Sequence, residues 1–389
     1  MTKLEELIEK LCPDGVEYKE IGSIAVLGAG GDVPKARFSA EKTVEFNIPI
    51  YSNGIEEKAI YGYTDIPKVD EPSITISARG TIGWCALRKE PFYPIVRLIY
   101  VTPNNEILID FLKYVIDTIK FKVPKTGIPQ LTIPMVSKYK IPVPPLEVQR
   151  EIVRILDNFT FLTTELAAEL AARQKQYEYY RDLLLTFKSN DSTILNERTN
   201  ELELSGAIRW MKLGDIADIG TGNGNTNEGL DTGKYPFFVR SQDIKYKNEY
   251  DFDETAIITS GDGVGVGKIF HFVSGKYALH QRAYRVHITS DNVLPKYFFY
   301  YFKNSFLTYI SKASFHSSVT SIRRPMMINF PVPVPPLEVQ QRIVDILDRF
   351  DILCNDISSG LPAEIEMRQK QYEYYRDKLL TFKELKKEA

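Results

Sequence analysis

The octapeptide Pro142-Val143-Pro144-Pro145-Leu146-Glu147-Val148-Gln149 recurs unchanged at Pro333 to Gln340, and Arg173 to Lys188 (RQKQYEYYRDLLLTFK) returns at Arg368 to Lys383 with Lys378 for Leu183 as the one difference. The two shifts are 191 and 195, so the second copy carries four extra residues between its blocks. A period near 190 is too long for a solenoid and means duplicated domains. The 389 residues are enough for two or three domains that each bury a core.

Each repeat opens a helix. Pro144-Pro145 and Pro335-Pro336 suit a first helical turn and are excluded further in. Ile152, Ile155, Leu156, Phe159, Leu162, Leu166 and Leu170 recur at threes and fours, and Tyr177, Tyr180, Leu184 and Phe187 continue the stripe. Positions 170, 177 and 184 with 173, 180 and 187 fit a heptad whose one polar member is Arg173, and Ile365, Arg368, Tyr372, Tyr375, Leu379 and Phe382 repeat it. Two such seams in one chain most simply bury against each other as an intramolecular coiled coil. Ser358-Ser359-Gly360-Leu361-Pro362 interrupts a helix, whereas Thr163-Thr164-Glu165-Leu166-Ala167-Ala168-Glu169-Leu170 is a run of good helix formers. The first helix is therefore expected to be continuous and the second broken. Tyr179 and Tyr180 cannot both face the seam, nor can Tyr374 and Tyr375, which leaves Tyr179 and Tyr374 to pack a partner.

Ahead of each helix, short β-branched and aromatic runs alternate with Gly, Pro, Asn and Asp: Asn47 to Tyr51, Ser73 to Ser77 and Val96 to Thr102, then Tyr235 to Arg240, Thr255 to Thr259 and Tyr277 to His287. These read as strands joined by turns. The fold class is α+β: mixed segments at 1–145 and 209–335, a spacer helix at 146–190, a linker at 191–208 and a distal helix region at 336–389. Nearly identical helices beside diverged domains suggest a constant scaffold carrying two different recognition surfaces. Ile48-Pro49-Ile50-Tyr51-Ser52-Asn53 sits where Tyr235-Pro236-Phe237-Phe238-Val239-Arg240 sits.

A net charge of −2, from 49 Lys plus Arg against 51 Asp plus Glu, excludes a uniformly cationic chain but not local basic surfaces. Phe111 to Lys140 holds six Lys and one Asp, a net +5, and Lys268 to Arg324 holds nine Lys or Arg and one Asp, a net +8. A duplex would be drawn to such sides. Asn53, Arg79, Gln130, Arg240, Gln242, Gln281, Arg282, Arg323 and Arg324 have the donor geometry for base edges, and Lys122, Lys125 and Lys268 suit phosphates. The competing explanation for any one of them is a solvated charged face.

Catalytic signatures are missing. Gly261-Asp262-Gly263-Val264-Gly265-Val266-Gly267-Lys268-Ile269 matches a phosphate-binding loop at Gly-Lys alone, with Ile269 where a hydroxyl is needed. His271, His280, His287 and His316 form no HExxH pair, so a zinc site is not expected. Cys12, Cys85 and Cys354 are too far apart for CxxC chemistry and fit a reducing cytosol. No apolar run is long enough for a membrane span, and the N-terminus lacks a signal-peptide core.

The two copies of PVPPLEVQ, each preceded by a variable segment and followed by a helix ending in QKQYEYYRD, resemble the specificity subunits of type I restriction-modification systems across nearly all of the chain. The Thr-Thr-Glu-Leu-Ala-Ala-Glu-Leu stretch resembles that family's central spacer. The resemblance implies two target recognition domains reading double-stranded DNA, helices paired antiparallel, and a non-catalytic cytoplasmic subunit. It further implies assembly with two methyltransferase (modification) subunits and with restriction/translocase subunits, S-adenosylmethionine, ATP and Mg²⁺ being bound by those partners. Leu166, Leu170, Tyr177, Tyr179, Tyr180, Leu184, Tyr372, Tyr374, Tyr375 and Leu379 are then the candidates for helix pairing or subunit docking. The competing readings are a solitary restriction or modification enzyme with an unrecognised active site, and a coiled-coil tether with no DNA role.

Overall fold

The computed structural model describes residues 2–123, 129–187, 208–313, 321–356 and 358–385. The chain divides into two units: Met1–Leu166 with Ile365–Ala389, and Ala167–Glu364.

The first unit carries β1 (Glu17–Glu20), β2 (Ala25–Ala29), β3 (Ile48–Tyr51), β4 (Ile60–Thr64), β5 (Ser73–Ile76), β6 (Cys85–Arg88), β7 (Tyr93–Pro94), β8 (Ile99–Pro103) and β9 (Lys140–Val143). They form a sheet of order β2-β8-β5-β6, a second of order β4-β3-β7, and the antiparallel pair β1-β9. Ile74, Ile76, Ile99 and Val101 from the first sheet share a core with Phe111, Leu112 and Val115 of the Ile109–Thr118 helix and with Val148, Ile152 and Leu156 of the long helix. Past the distal helix, Val16 N–H donates to Lys383 O (2.9 Å) and Leu385 N–H to Val16 O (2.8 Å).

The second unit carries β10 (Arg209–Lys212), β11 (Ala217–Thr221), β12 (Tyr235–Phe238), β13 (Lys245–Lys247), β14 (Phe252–Ser260), β15 (Phe270–Leu279), β16 (Ala283–Ile288) and β17 (Pro331–Val334). Here six strands run as one sheet, β11-β16-β14-β15-β12-β13, beside the pair β10-β17. The difference has a local cause. β15 pairs with β14 over most of its ten residues and with β12 at its end, whereas in the first unit β6 stops at Arg88 and β7 resumes the job after Pro91, which has no N–H for a ladder. The run Tyr277 to His287 is two strands with a turn at His280–Arg282 between them.

The repeated octapeptide does the same work in both units. Its prolines lie in β9 and β17 and then start the helix, and its glutamine is fully buried. Gln149 Nε2 donates to the carbonyls of Pro144 (2.8 Å) and Glu106 (3.0 Å), and its Oε1 accepts from Leu108 N–H (2.8 Å). Gln340 repeats the pattern on Pro335 (2.7 Å), Asn292 (2.8 Å) and Leu294 (2.8 Å). One amide thus satisfies three backbone groups at the point where the mixed strand-and-helix segment meets its long helix, groups that burial would otherwise leave unpaired.

Leu146–Leu185 is one uninterrupted helix, and the second copy is broken into Leu337–Asn355 and Leu361–Leu379, as expected. The Asp356 carboxylate accepts from the Ser358 N–H and the Ser358 and Ser359 hydroxyls at the break. In the first unit the long helix runs antiparallel to the distal one: Phe159 stacks on Tyr375 (ring centres 5.4 Å apart), while Thr160 and Thr163 lie beside Gln369 and Tyr372. In the second unit Tyr177 and Tyr180 pack on Phe350 (6.1 and 5.7 Å) and Leu184 is buried in the core. Leu166 and Leu170 are half-buried, as are Tyr372 and Leu379. Leu162 is a correction: expected in the seam, it is 46% exposed, because the inward line of the helix runs through Phe159, Thr163, Leu166 and Leu170, all half-buried, and Leu162 lies beside that line. Tyr179 and Tyr374 are exposed at 59% and 63%.

Trp84 and Trp210, the chain's two tryptophans, fall one in each unit and allow each to be followed alone. With Trp210→Phe as background, Gln149→Ala is expected to lower the stability reported by Trp84 in urea unfolding by about 2–4 kcal/mol, from three lost hydrogen bonds and the groups left unpaired. Gln340→Ala is expected to act equally on Trp210 in a Trp84→Phe background. An unshifted midpoint would show that the amide is dispensable.

Candidate nucleic-acid interface

Matching backbone hydrogen bonds place the loops of the two units in one frame. Ile95 N–H donates to Tyr51 O as His280 N–H donates to Phe238 O, and Val96 N–H donates to Gly31 O as Gln281 N–H donates to Gly224 O. The loop after β5 and the loop after β14 are anchored alike, Ala78 O accepting from Leu131 N–H and Gly261 O from Ile322 N–H. Counted from these anchors, Asn53 corresponds to Arg240, Arg79 to Asp262, Arg97 to Arg282 and Gln130 to Ser321. Gly80 (φ +68°) and Gly263 (φ +82°) follow at the loop tips, where a Cβ would meet nothing within 4 Å.

In the first unit the shared acceptor is Gln130. Its Oε1 takes Nε and Nη2 of Arg79 (3.0 and 2.6 Å) and Nη1 of Arg97 (3.5 Å). Asn53, proposed from sequence for base contact, has both ends of its amide on backbone: Nδ2 donates to Val96 O (2.8 Å) and Oδ1 accepts from Ala78 N–H (2.7 Å). It is therefore a brace for the loops that carry Arg79 and Arg97. Val96 and Arg97 have φ of 51° and 59°, a conformation costly for a β-branched residue, which Asn53 and the Gly30 and Gly31 carbonyls hold.

In the second unit the acceptor is Asp262, half-buried between two exposed arginines. Arg240 Nη1 lies 2.8 Å from Oδ1 and Arg282 Nη1 3.0 Å from Oδ2. Burial works against ionisation of Asp262, but the hydrogen bonds and charges of the two guanidiniums outweigh it and hold the carboxyl below its ordinary pKa. Gln281 Nε2 donates to Asn225 Oδ1 (2.6 Å) at the rim, and Val264 is 96% exposed at the tip. Burial, with Arg240 next in importance, also lowers the pKa of His280, whose neutral ring accepts from Arg282 N–H through Nδ1 (3.0 Å).

The remaining candidates are less organised. Lys122, Gln242, Lys268, Arg323 and Arg324 are exposed, the last two opening the Arg324–Ile328 helix beside Ile322; Lys125 lies outside the described residues. Sequence reasoning missed Arg97, read as part of a strand, and Asp262, considered only as a mismatch to a phosphate-binding loop. Their one sequence signal is position within the duplicated frame. The basic stretches are also less free than their charge suggests: Lys113 pairs with Asp117, Lys296 with Asp348, and Arg285 with both Glu254 and Asp218. Among the described residues no group of three His, Cys, Asp or Glu side chains could hold a metal ion, and no helix is long and apolar enough to cross a membrane.

The comparisons with known proteins agree with this duplicated arrangement. The family model described as the type I restriction modification DNA specificity domain matches residues 13–173 and again 208–367. The EcoR124I/EcoR124II specificity subunit of Escherichia coli is 33% identical over 317 residues, 74% of either chain. A putative type I restriction enzyme specificity subunit of Haemophilus influenzae is 30% identical over 98% of both. In fold, the crystal structure of a type I S subunit from M. genitalium matches with a TM-score of 0.58 at 17% identity, covering 94% of this chain and 95% of that one. The HsdS subunit from Thermoanaerobacter tengcongensis matches with a TM-score of 0.52 over 95% of this chain and 97% of that one. With two matched domains and two diverged polar clusters on one repeated frame, this chain belongs to the type I restriction-modification specificity family, whose subunits recognise DNA and are not themselves catalytic.

Proposed function

We propose that the chain reads a bipartite, asymmetric DNA target, one recognition domain per half-site, and scaffolds the methyltransferase and restriction subunits that act on it. The observation that carries this reading is the pair of loop clusters built on equivalent backbone anchors but filled with different donors and acceptors. Equal frames suit equal docking on a duplex, and different side chains suit different base sequences. The recognition domains are assigned to residues 1–145 and 209–335, the spacer helix to 146–190, the linker to 191–208 and the distal helix region to 336–389. Lys122, Lys125 and Lys268 would neutralise phosphates, with Gln242, Arg323 and Arg324 flanking the second cluster. S-adenosylmethionine, ATP and Mg²⁺ would be bound by the partners, in the cytoplasm, with two modification subunits per chain. The exposed Tyr179 and Tyr374 occupy equivalent places on the two repeats and suit two copies of one partner.

Co-expression with the cognate methyltransferase subunit, followed by mapping of methylated adenines in genomic DNA, is expected to return two short motifs with a fixed unspecified spacer. Exchange of residues 209–331 for those of a relative should change one half alone. Methylation by the isolated chain would instead reveal the solitary enzyme, and absence of DNA binding by the assembled complex at any salt concentration would leave the tether. Insertion of Ala-Ala-Glu-Leu after Leu170 adds about 6 Å to the helix and turns its end by about 40°. The spacer is then expected to change by one or two base pairs, and an unchanged spacer would show that the helix is not the ruler. Tyr179→Ala and Tyr374→Ala are expected to weaken co-purification of the methyltransferase subunit while leaving urea midpoints in place; normal assembly would remove these tyrosines from the docking surface.

A further inference from the structure

The two clusters differ in hydrogen-bond polarity. In the first unit Gln130 offers its carbonyl to Arg79 and Arg97, so that, among the described residues, what remains to face a ligand is the Gln130 amide N–H pair and unused guanidinium N–H groups, all donors. In the second unit Arg240 and Arg282 each touch Asp262 through Nη1, and each Asp262 oxygen takes one of them. A carboxylate oxygen carries two lone-pair sites, so that cluster keeps acceptor capacity in the midst of its donors. The relocation is specific: the acceptor moves from the position of Gln130 and Ser321 to the position of Arg79 and Asp262, while Arg97 and Arg282 stay in place. Neither cluster is buried, and the glycine tips beside both are open to a bulky ligand.

Base edges differ in the same property. Guanine shows two acceptors, N7 and O6, in the major groove and so meets several donors at once, thymine shows one, O4, beside its methyl group, cytosine shows the N4 amino donor, and adenine an N6 amino donor beside N7. We propose that this four-position cluster sets base choice in each half-site: the first domain requires guanine at the base facing Arg79 and Gln130, and the second requires an amino-bearing base, cytosine or adenine, facing Asp262. The inference rests on the DNA-recognition reading above and assigns chemistry within it. Arg240 and Arg282 hold Asp262 ionised and aimed, so a base with a carbonyl at that place meets a repelling acceptor as well as losing a bond.

The test uses the specificity chain co-expressed with its methyltransferase subunit and compares methylated genomic motifs for the natural chain, Asp262→Asn and Gln130→Glu. Asp262→Asn, which swaps an acceptor for a donor-bearing amide of the same shape, is expected to reduce discrimination at one base of the second domain's half by about tenfold or more and leave the other half intact. Gln130→Glu installs a carboxylate in the first cluster and is expected to reduce the guanine requirement at one base of the first domain's half, with the second half intact. The exchange of residues 209–331 identifies which half is which. Unchanged motifs with methylation retained would overturn the proposal, and so would a loss of methylation spread equally over all bases, which would make both residues parts of the scaffold. Should the natural complex yield no bipartite motif, the recognition reading itself fails, and this assignment with it.

Discussion

A single buried amide in each unit fixes everything else to its place. Gln149 and Gln340 are each surrounded by the proline carbonyl that starts a helix and by the backbone just ahead of the Ile109–Thr118 or Pro295–Ala313 helix. An unmet hydrogen bond at such a depth costs more than the net gain of making one, so the arrangement is held by what any alternative would leave unsatisfied. A shorter amide could not span the three partners, and a carboxylate could not donate to two carbonyls. This is a physical reason for the same glutamine, five residues after the same proline, in both copies.

The consequence is a division of labour. The octapeptide, the paired helices and the β1-β9 and β10-β17 ladders make a frame that is nearly the same twice, while the loops after β5 and β14 are free to differ. Even the sheets differ, split in one unit and continuous in the other, without disturbing the anchors at Ile95 and His280. The two units thus differ most at the four side chains of each cluster, and it is from such sites, not from the shared fold, that a function is argued.

Much of the frame was readable from sequence because its signals are local or repeated: proline-started helices, the heptad stripe, the Ser-Ser-Gly-Leu-Pro break, the alternation of short strands and turns. The clusters were readable only in part. Arg79, Gln130, Arg240 and Arg282 stand out as arginine and amide side chains, but nothing in the linear order shows that Gln130 lies against Arg79, 51 residues away. Asp262 was invisible for a deeper reason, since a single acidic residue gives no sign in the sequence of the two arginines that meet on it. Asn53 shows a second limit: its type suits a base edge, and the linear order does not show that its amide also meets the backbone of Ala78 and Val96. Leu162 failed because spacings of three and four fit both 159-162-166 and 159-163-166, and the polar Thr163, not the leucine, is on the inward line.

The sharing of helices between units has a bearing on synthesis. The second unit, Ala167–Glu364, is contiguous, whereas the first needs residues from Ile365 onward to cover Ile155 and Phe159. The part of the chain made first is thus closed last. At ordinary translation rates roughly 200 residues separate the two halves of the first unit in time by about 10–40 s. For that interval the helix face of Ile155 and Phe159 is outside the ribosome with its own partner not yet made. Closure of the first unit is therefore a late, long-range step, with the loop-closing entropy of about 200 intervening residues to be met after the second unit is already complete.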